Sequence, residues 1–350
     1  MSDRFEKLKL VSLQPDLEIF EKFGVELEED DLIPATDEEK SSFIQTAPSI
    51  SYWKDAWRRL KANRVAMVSL GFLVFVFLFA FIGPLFMPVD FSTQMRGYEN
   101  MPPSIYFPFG TDKLGRDLLA RTMYGTRISL IVGIFASFIV LVIGTIYGSI
   151  SGYLGGRVDS VMMRILDMVY SIPDVLVVIL LSISIDAPLK EWVNNSNSAF
   201  SRTVNAIGPG LISIFVAFGL LYWVSMARII RGQVLMLKQQ EYVTAVRALG
   251  GKGGRIVKKH LFPNCIGQIT VMTALQIPSA IFLESFMSFL GMGVQPPMTS
   301  LGAMAADALS GIYTYTYRLV IPAVLLSLLI LSLNLFGDGL RDALDPRLKK

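Results

Sequence analysis

Six long apolar runs decide what this chain can become. A helix needs about 20 apolar residues to cross the hydrocarbon core of a bilayer, where its backbone groups must be satisfied within the segment. The first run covers roughly residues 65–87, with no charge between Arg64 and Asp90. The second, roughly 128–153, is uncharged from Ile128 to Gly156. The third, roughly 162–185, contains Asp167 and Asp174, and Pro173 is expected to kink it between them. The fourth covers roughly 205–227, and the sixth roughly 319–337. The fifth, roughly 263–291, carries Pro278 and Glu284 and is expected to break at the proline. Of the 350 residues, 52% are hydrophobic and 17% charged, and a soluble domain is nearer ~25% charged. That balance argues against a soluble enzyme and against disorder.

Charge is distributed unevenly. Residues 1–50 hold 13 Asp/Glu against 5 Lys/Arg, whereas residues 51–350 hold 16 against 27. An acidic tail (1–50) therefore precedes a basic membrane body. The tail has no short apolar core behind a basic start, so no cleaved leader is expected. Within it, Leu13, Leu17 and Phe20 recur at helical spacing, and Thr36 with Glu39 has the form of a capping box. Residues 51–64 follow as an interfacial amphipathic segment. There Trp53, Trp57 and Leu60 make an apolar stripe beside Lys54, Arg58, Arg59 and Lys61.

Lys and Arg orient the spans. The 51–64 segment, the loop between spans 4 and 5, and the tail 341–350 are rich in them and are expected on the cytoplasmic side. The loop between spans 1 and 2 also carries Arg96, Lys113, Arg116, Arg121 and Arg127, balanced by carboxylates. Parity of six spans puts it outside. Both termini are then expected in the cytoplasm, and a six-helix transmembrane domain is expected over 65–340.

The loop 238–262 is the most informative stretch. Lys238–Leu249 reads as a helix, with Glu241 early and Arg247 late, as the helix dipole favours. Gly250 and Gly251 are expected to end it, and Arg255–Leu261 reads as a second short helix before Pro263. Gly250-Gly-Lys-Gly-Gly254 lacks the Gly-x-x-x-x-Gly-Lys-Ser/Thr spacing of a phosphate loop and reads as a hinge.

Glu241-Tyr-Val-Thr-Ala245-Val-Arg-Ala-Leu-Gly250, nine further residues, and His260-Leu-Phe-Pro263 resemble the coupling-loop motif of importer permeases of the ATP-binding cassette class. Ala245, Gly250 and Pro263 match, while Thr244, Val246 and His260 depart. Phe109–Leu130, Glu284–Pro297 and Gly337–Arg347 resemble the C-type permeases of oligopeptide and dipeptide importers. The likeness covers roughly 55–350. It implies an all-α membrane protein of six transmembrane helices, with a cytoplasmic coupling helix between spans 4 and 5. It implies import of short peptides, with a second homologous permease subunit, two ATPase subunits and an extracytoplasmic peptide-binding protein as partners. ATP and Mg are expected on the ATPases and no cofactor on this chain. The ATPase-coupling residues it points to are Glu241, Ala245, Arg247, Gly250, Arg255 and Pro263.

Other residues stay open between two readings. Asp167 and Asp174 lie seven apart and are expected to share a helix face, either lining a path or pairing with Arg164 or a neighbouring helix. Asp174 and Glu284 are the candidate translocation-path or structural carboxylates. Gly144, Gly148 and Gly152 form a small-residue face for helix packing. Arg116 and Asp117 either fix their loop or meet a docking protein. One cysteine, Cys265, excludes an internal disulfide, and one histidine, His260, speaks against a metal site. No catalytic constellation is visible, so the chain is read as a transport subunit and not an enzyme. Nucleic acid is not expected, because membrane topology explains the basic loop. The alternatives are the same class importing nickel, haem or another small solute, an ion-driven carrier relaying through Asp167, Asp174 and Glu284, or a membrane scaffold.

Overall fold

A computed structural model of the chain describes residues 51–196 and 198–345. The readings at Leu13, Leu17, Phe20, Thr36 and Glu39, and the end of the C-terminal segment from 346, lie outside the described residues.

Among the described residues the fold is all-helical, with one isolated bridge between Thr111 and Asp117. Five helices are long and apolar enough to cross a membrane: α2 (Arg64–Phe81), α3 (Leu118–Leu154), α7 (Pro209–Lys238), α9 (Gly253–Phe289) and α11 (Tyr317–Leu344). A bent pair, α4 (Gly156–Tyr170) and α5 (Asp174–Asn195), makes the sixth span if counted as one. The shorter helices are α1 (Tyr52–Ala62), α6 (Ala199–Ile207), α8 (Glu241–Ala248) and α10 (Leu301–Ala308).

Helix α3 is the central strut. Its glycine face lies against α7, where a Cβ on Gly148 would sit 2.4 Å from the Ala227 carbonyl oxygen and one on Gly144 2.6 Å from Met226 Cβ. Without side chains there, the backbones approach closely. The main core runs along this seam through Val132, Ala136, Ile214, Phe218, Met226 and Ile230. Helix α2 packs on α3 and α11 and leaves Val68, Val74, Phe75 and Phe77 exposed, as a lipid-facing surface requires.

Several expectations change. Span 3 is not a kinked rod: it breaks at Ser171–Pro173 and turns by 79°. Pro173 disfavours helix in the residue before it and supplies no backbone donor. Asp167 and Asp174 consequently sit on different helices and share no face. The fifth run does not break at Pro278, which lies inside the continuous α9. The expected second loop helix is not separate either, because α9 begins at Gly253 and runs through Pro263. A wide π turn over Val257–Leu261 precedes that proline and relieves the clash its ring makes with the preceding turn. Span 2 starts ten residues earlier than the uncharged stretch, at Leu118. Its arginines are carried inside the helix by partners, Arg127 Nε donating to the Ala80 carbonyl at 3.0 Å. The last helix runs on through Arg341 to Leu344. Ala343 and Leu344 are buried there against Leu60, Ala66, Ala56 and Val271. The Trp53–Trp57–Leu60 stripe divides: Leu60 turns inward and both tryptophans face out.

One end of the bundle is held by a network of paired charges. At the end formed by residues 83–117 and 290–316, Arg116 pairs with Asp112 at 2.6 Å, and Arg121 reaches Asp307 at 3.4 Å. Arg318 donates to Asn100 at 3.0 Å and to the Asp307 carbonyl at 2.9 Å. Asp117 caps α3 by accepting from the Leu119 amide at 2.8 Å. Burial pushes its carboxyl above the usual range, opposed by the amides of Leu119 and Ala120. Arg116 and Asp117 thus hold their own loop.

Candidate functional site

Two places in the molecule join chemistry-bearing residues to the spans of the helical bundle. The first is the basic loop. Gln239 and Gln240 separate α8 from α7, so α8 begins at Glu241, later than the sequence suggests. Val243 is fully buried and joins the main core with Val234, Ile256, Leu261 and Cys265, while Val246 packs at its edge. Two valines three apart make a narrow apolar seam. Everything else on α8 faces out: Glu241, Tyr242, Thr244, Ala245 and Arg247 are exposed, and Leu249 just beyond is 88% exposed. Gly250 takes φ +78°, and the Gly250 and Gly251 amides donate back to the Arg247 and Val246 carbonyls at 2.9 Å each. That left-handed turn is natural for glycine and strained for other residues.

Sequence reasoning missed the residue that organises this end. Tyr153, near the end of α3, lies between Lys238 and Arg247, each 5.7 Å from its ring centroid. Lys238 also donates to the Tyr153 carbonyl at 2.6 Å. A Cβ on Gly253 would sit 2.7 Å from the Tyr153 hydroxyl, so the ring rests on the start of α9. One aromatic therefore touches α3, α7, the end of α8 and α9. Arg255 and Pro263 are exposed on the first turns of α9. His260 is half-buried, and its carbonyl accepts from Asn264 at 2.7 Å. Ser151 and Arg231 both donate to Asp159, tying α3 and α7 to α4.

The second place is the break in span 3. Asp174 opens α5 and is exposed. Its carboxylate accepts from the Val175 amide at 2.9 Å and from the Tyr222 hydroxyl at 3.0 Å. Tyr222 stands at the end of a π turn, Phe218–Tyr222, within α7. The extra residue in such a turn re-aims side chains and recurs at functional sites, and no spacing in the sequence signals it. Two cavities of about 470 and 450 Å³ adjoin here, and Asp174 and Tyr222 line both. Asp167 is elsewhere, on α4, with Arg228 of α7 at 2.9 Å. Its partner is this neighbouring helix and not Arg164.

Glu284 is not at either place. It is completely buried, accepting from Ser129 at 2.9 Å and Ser288 at 2.7 Å, with Ser285 at 3.3 Å. Through Ser129 it ties α9 to α3. Among the described residues, no group of three or more His, Cys, Asp or Glu could hold a metal.

The amino-acid sequence is matched by known proteins. Residues 144–350 match the family described as binding-protein-dependent transport system inner membrane component. The chain belongs to that family. Residues 51–103 match the N-terminal transmembrane domain of oligopeptide transport permease C. The dipeptide transport system permease protein of Bacillus subtilis (strain 168) is 48% identical over 87% of this chain and 88% of its own length. The oligopeptide transport system permease protein of the same organism is 44% identical over 86% and 92%. The glutathione transport system permease protein of Pectobacterium atrosepticum is 34% identical over 85% and 92%. The chain is therefore a multi-pass membrane permease component of an ATP-binding cassette importer.

Proposed function

We propose that this permease moves dipeptides or oligopeptides into the cell, driven by ATP hydrolysed on separate subunits. The observation that carries the coupling is α8: a short helix anchored through Val243 in the same apolar cluster as α7 and α9, with its outer face bare. A push on that face would be passed to two spans at once, because packed interiors transmit displacement. The exposed surface of Thr244, Ala245 and Leu249 suits a groove on an ATPase subunit. Glu241, Arg247, Arg255 and Pro263 lie around its edge. Gly250–Gly254 supports the same division of labour, since it ends one helix and begins another. ATP and Mg accordingly bind on the two ATPase partners, and this chain binds no cofactor.

The peptide cargo rests on the names of the relatives most similar over the whole permease. The remaining partners follow: a second, homologous permease, and an extracytoplasmic peptide-binding protein. At the end opposite α8, Ile105 and Tyr106 are 97% and 89% exposed and offer that protein an apolar foothold. The orientation proposed is both termini and α8 in the cytoplasm, in the inner membrane, with residues 1–50 as an acidic tail. No nucleic acid is involved.

The test is uptake of labelled di- to octapeptides, and of nickel, in cells with and without the chain, with ATP and the proton gradient varied separately. Loss of ATP-dependent peptide uptake on deletion supports the reading. Loss of nickel uptake alone moves the cargo, and dependence on the proton gradient alone overturns the mechanism. Gly250→Asp should abolish uptake while insertion into the membrane stays normal; unimpaired uptake would remove α8 from the coupling path.

A further inference from the structure

Of the four aspartates on α4 and α5, three have a basic partner. Asp159 binds Arg231, Asp167 binds Arg228, and Asp186 binds Lys190. Asp174 has no cation within ion-pair distance among the described residues. Its two partners are a phenol and a backbone amide. A carboxylate accepts about four hydrogen bonds, so about half its capacity is open. An uncompensated charge in a membrane-spanning region is costly and marks a function.

The surroundings say which function. The cavities have volumes of about 470 and 450 Å³, within the range of small-ligand sites, about 300–1,000 Å³. Ser279 and Asn334 line one, and Ser225 and Gln276 line the other. These neutral side chains both donate and accept, or carry both kinds of group, as the amides of a peptide backbone do. Phe282, Phe286 and Leu221 supply apolar wall. Among the described residues, Asp174 is the one charged residue lining either cavity. Hard divalent cations need several oxygen ligands, often with more than one carboxylate, so a lone Asp does not suit them. It does suit a single ammonium group.

We propose that Asp174, held by the Tyr222 hydroxyl where the two cavities meet, receives the α-ammonium group of the peptide in transit. The neutral groups on either side carry its amides without regard to side-chain identity. Tyr222 is a positioning residue that keeps the carboxylate turned toward the cavities. This inference rests on the peptide-transport reading and adds the chemical feature of the cargo that the membrane path reads.

The experiment uses the assembled transporter in vesicles, with its partner subunits and saturating binding protein. Uptake of one peptide is compared in its free-amine and N-acetylated forms. Asp174→Asn should lower free-amine uptake about tenfold or more, the worth of one charge-assisted hydrogen bond, and leave acetylated uptake unchanged. Asp174→Glu should restore much of the difference, and Tyr222→Phe should fall between. Equal loss of both forms, or no loss of either, overturns the proposal. Absence of peptide uptake by the unaltered transporter instead overturns the cargo reading.

A second measurement needs no transport. Ser279→Cys in a Cys265→Ser background places the only thiol of the chain on the cavity wall. A cationic methanethiosulfonate should label it about tenfold faster, relative to an anionic one, when Asp174 is present than in Asp174→Asn. An unchanged ratio overturns the cation site even if the substituted transporter assembles poorly.

Discussion

At one end of the bundle Asp112, Arg116, Arg121, Asp307 and Arg318 form a cross-linked set of charges between the loop after α2, the start of α3 and the segment before α11. At the other end α8 is held to the same bundle by Val243 and the edge of Val246, with Tyr153 clamped between Lys238 and Arg247. The first arrangement has many partners, and Asp112, Arg116, Arg121 and Arg318 are buried, so removing a carboxylate from it strands a buried guanidinium. The second rests on Val243 and the edge of Val246, two cation–aromatic contacts, the Lys238 bond to the Tyr153 carbonyl and one Asn264–Tyr242 hydrogen bond, a set with no ion pair in it. A charged network suits a fixed rim, and a lightly pinned helix suits a part that is pushed.

The contrast can be broken at either end. Asp112→Ala should have the largest effect on stability, about 3–5 kcal/mol, because it leaves Arg116 and Arg121 buried without their shared carboxylate. Thermal unfolding of the purified chain in detergent checks it. A loss under 1 kcal/mol would mean that Asp307 alone satisfies the guanidiniums. Val243→Ala should cost about 1–3 kcal/mol through lost apolar contact and a small cavity, and should uncouple ATP hydrolysis from uptake. Unchanged coupling ratios in the assembled transporter would show that α8 is held by other contacts. Gly250→Ala should cost about 1–2 kcal/mol, since the turn at φ +78° is unfavourable for alanine. A normal melting temperature would show that the turn relaxes at no cost. Leu249→Ser should change stability by less than ~0.5 kcal/mol, because the side chain is 88% exposed, yet reduce association with the ATPase subunits. Undiminished association, measured by co-purification, would put the docking face elsewhere on the loop.

Much of this was readable from residue order, and the failures have physical causes. The apolar runs marked every span, but their ends were misplaced where charges are paired inside the helix. Arg121 and Arg127 look like loop residues only until Asp112, Asp307 and the Ala80 carbonyl are seen beside them. Prolines misled in both directions. Pro173 breaks its span and Pro278 does not, and their sequences alone do not distinguish the two, because neighbouring helices decide whether a freed carbonyl is tolerated. The loop residues proposed for coupling carry a motif, whereas Tyr153 and Tyr222 belong to no pattern. Tyr222 reaches Asp174 only because a π turn rotates it, and Tyr153 matters only because three other elements converge on its ring.

The amino-acid sequence by itself determined the class. Segments too apolar for water, with backbones that must satisfy themselves, leave a helical membrane bundle as the outcome, and the glycine ladder of α3 selects which helix faces pack. Tertiary structure alone decided the assignment of the carboxylates. Asp159, Asp167, Asp174 and Glu284 look alike as isolated acids in or beside apolar runs. Three are neutralised or enclosed by residues 60 or more positions away in the chain, and Asp174 is left open between two cavities. Whether a buried charge is structural or available depends on what lies within a few ångströms of it, and distance along the chain does not report that.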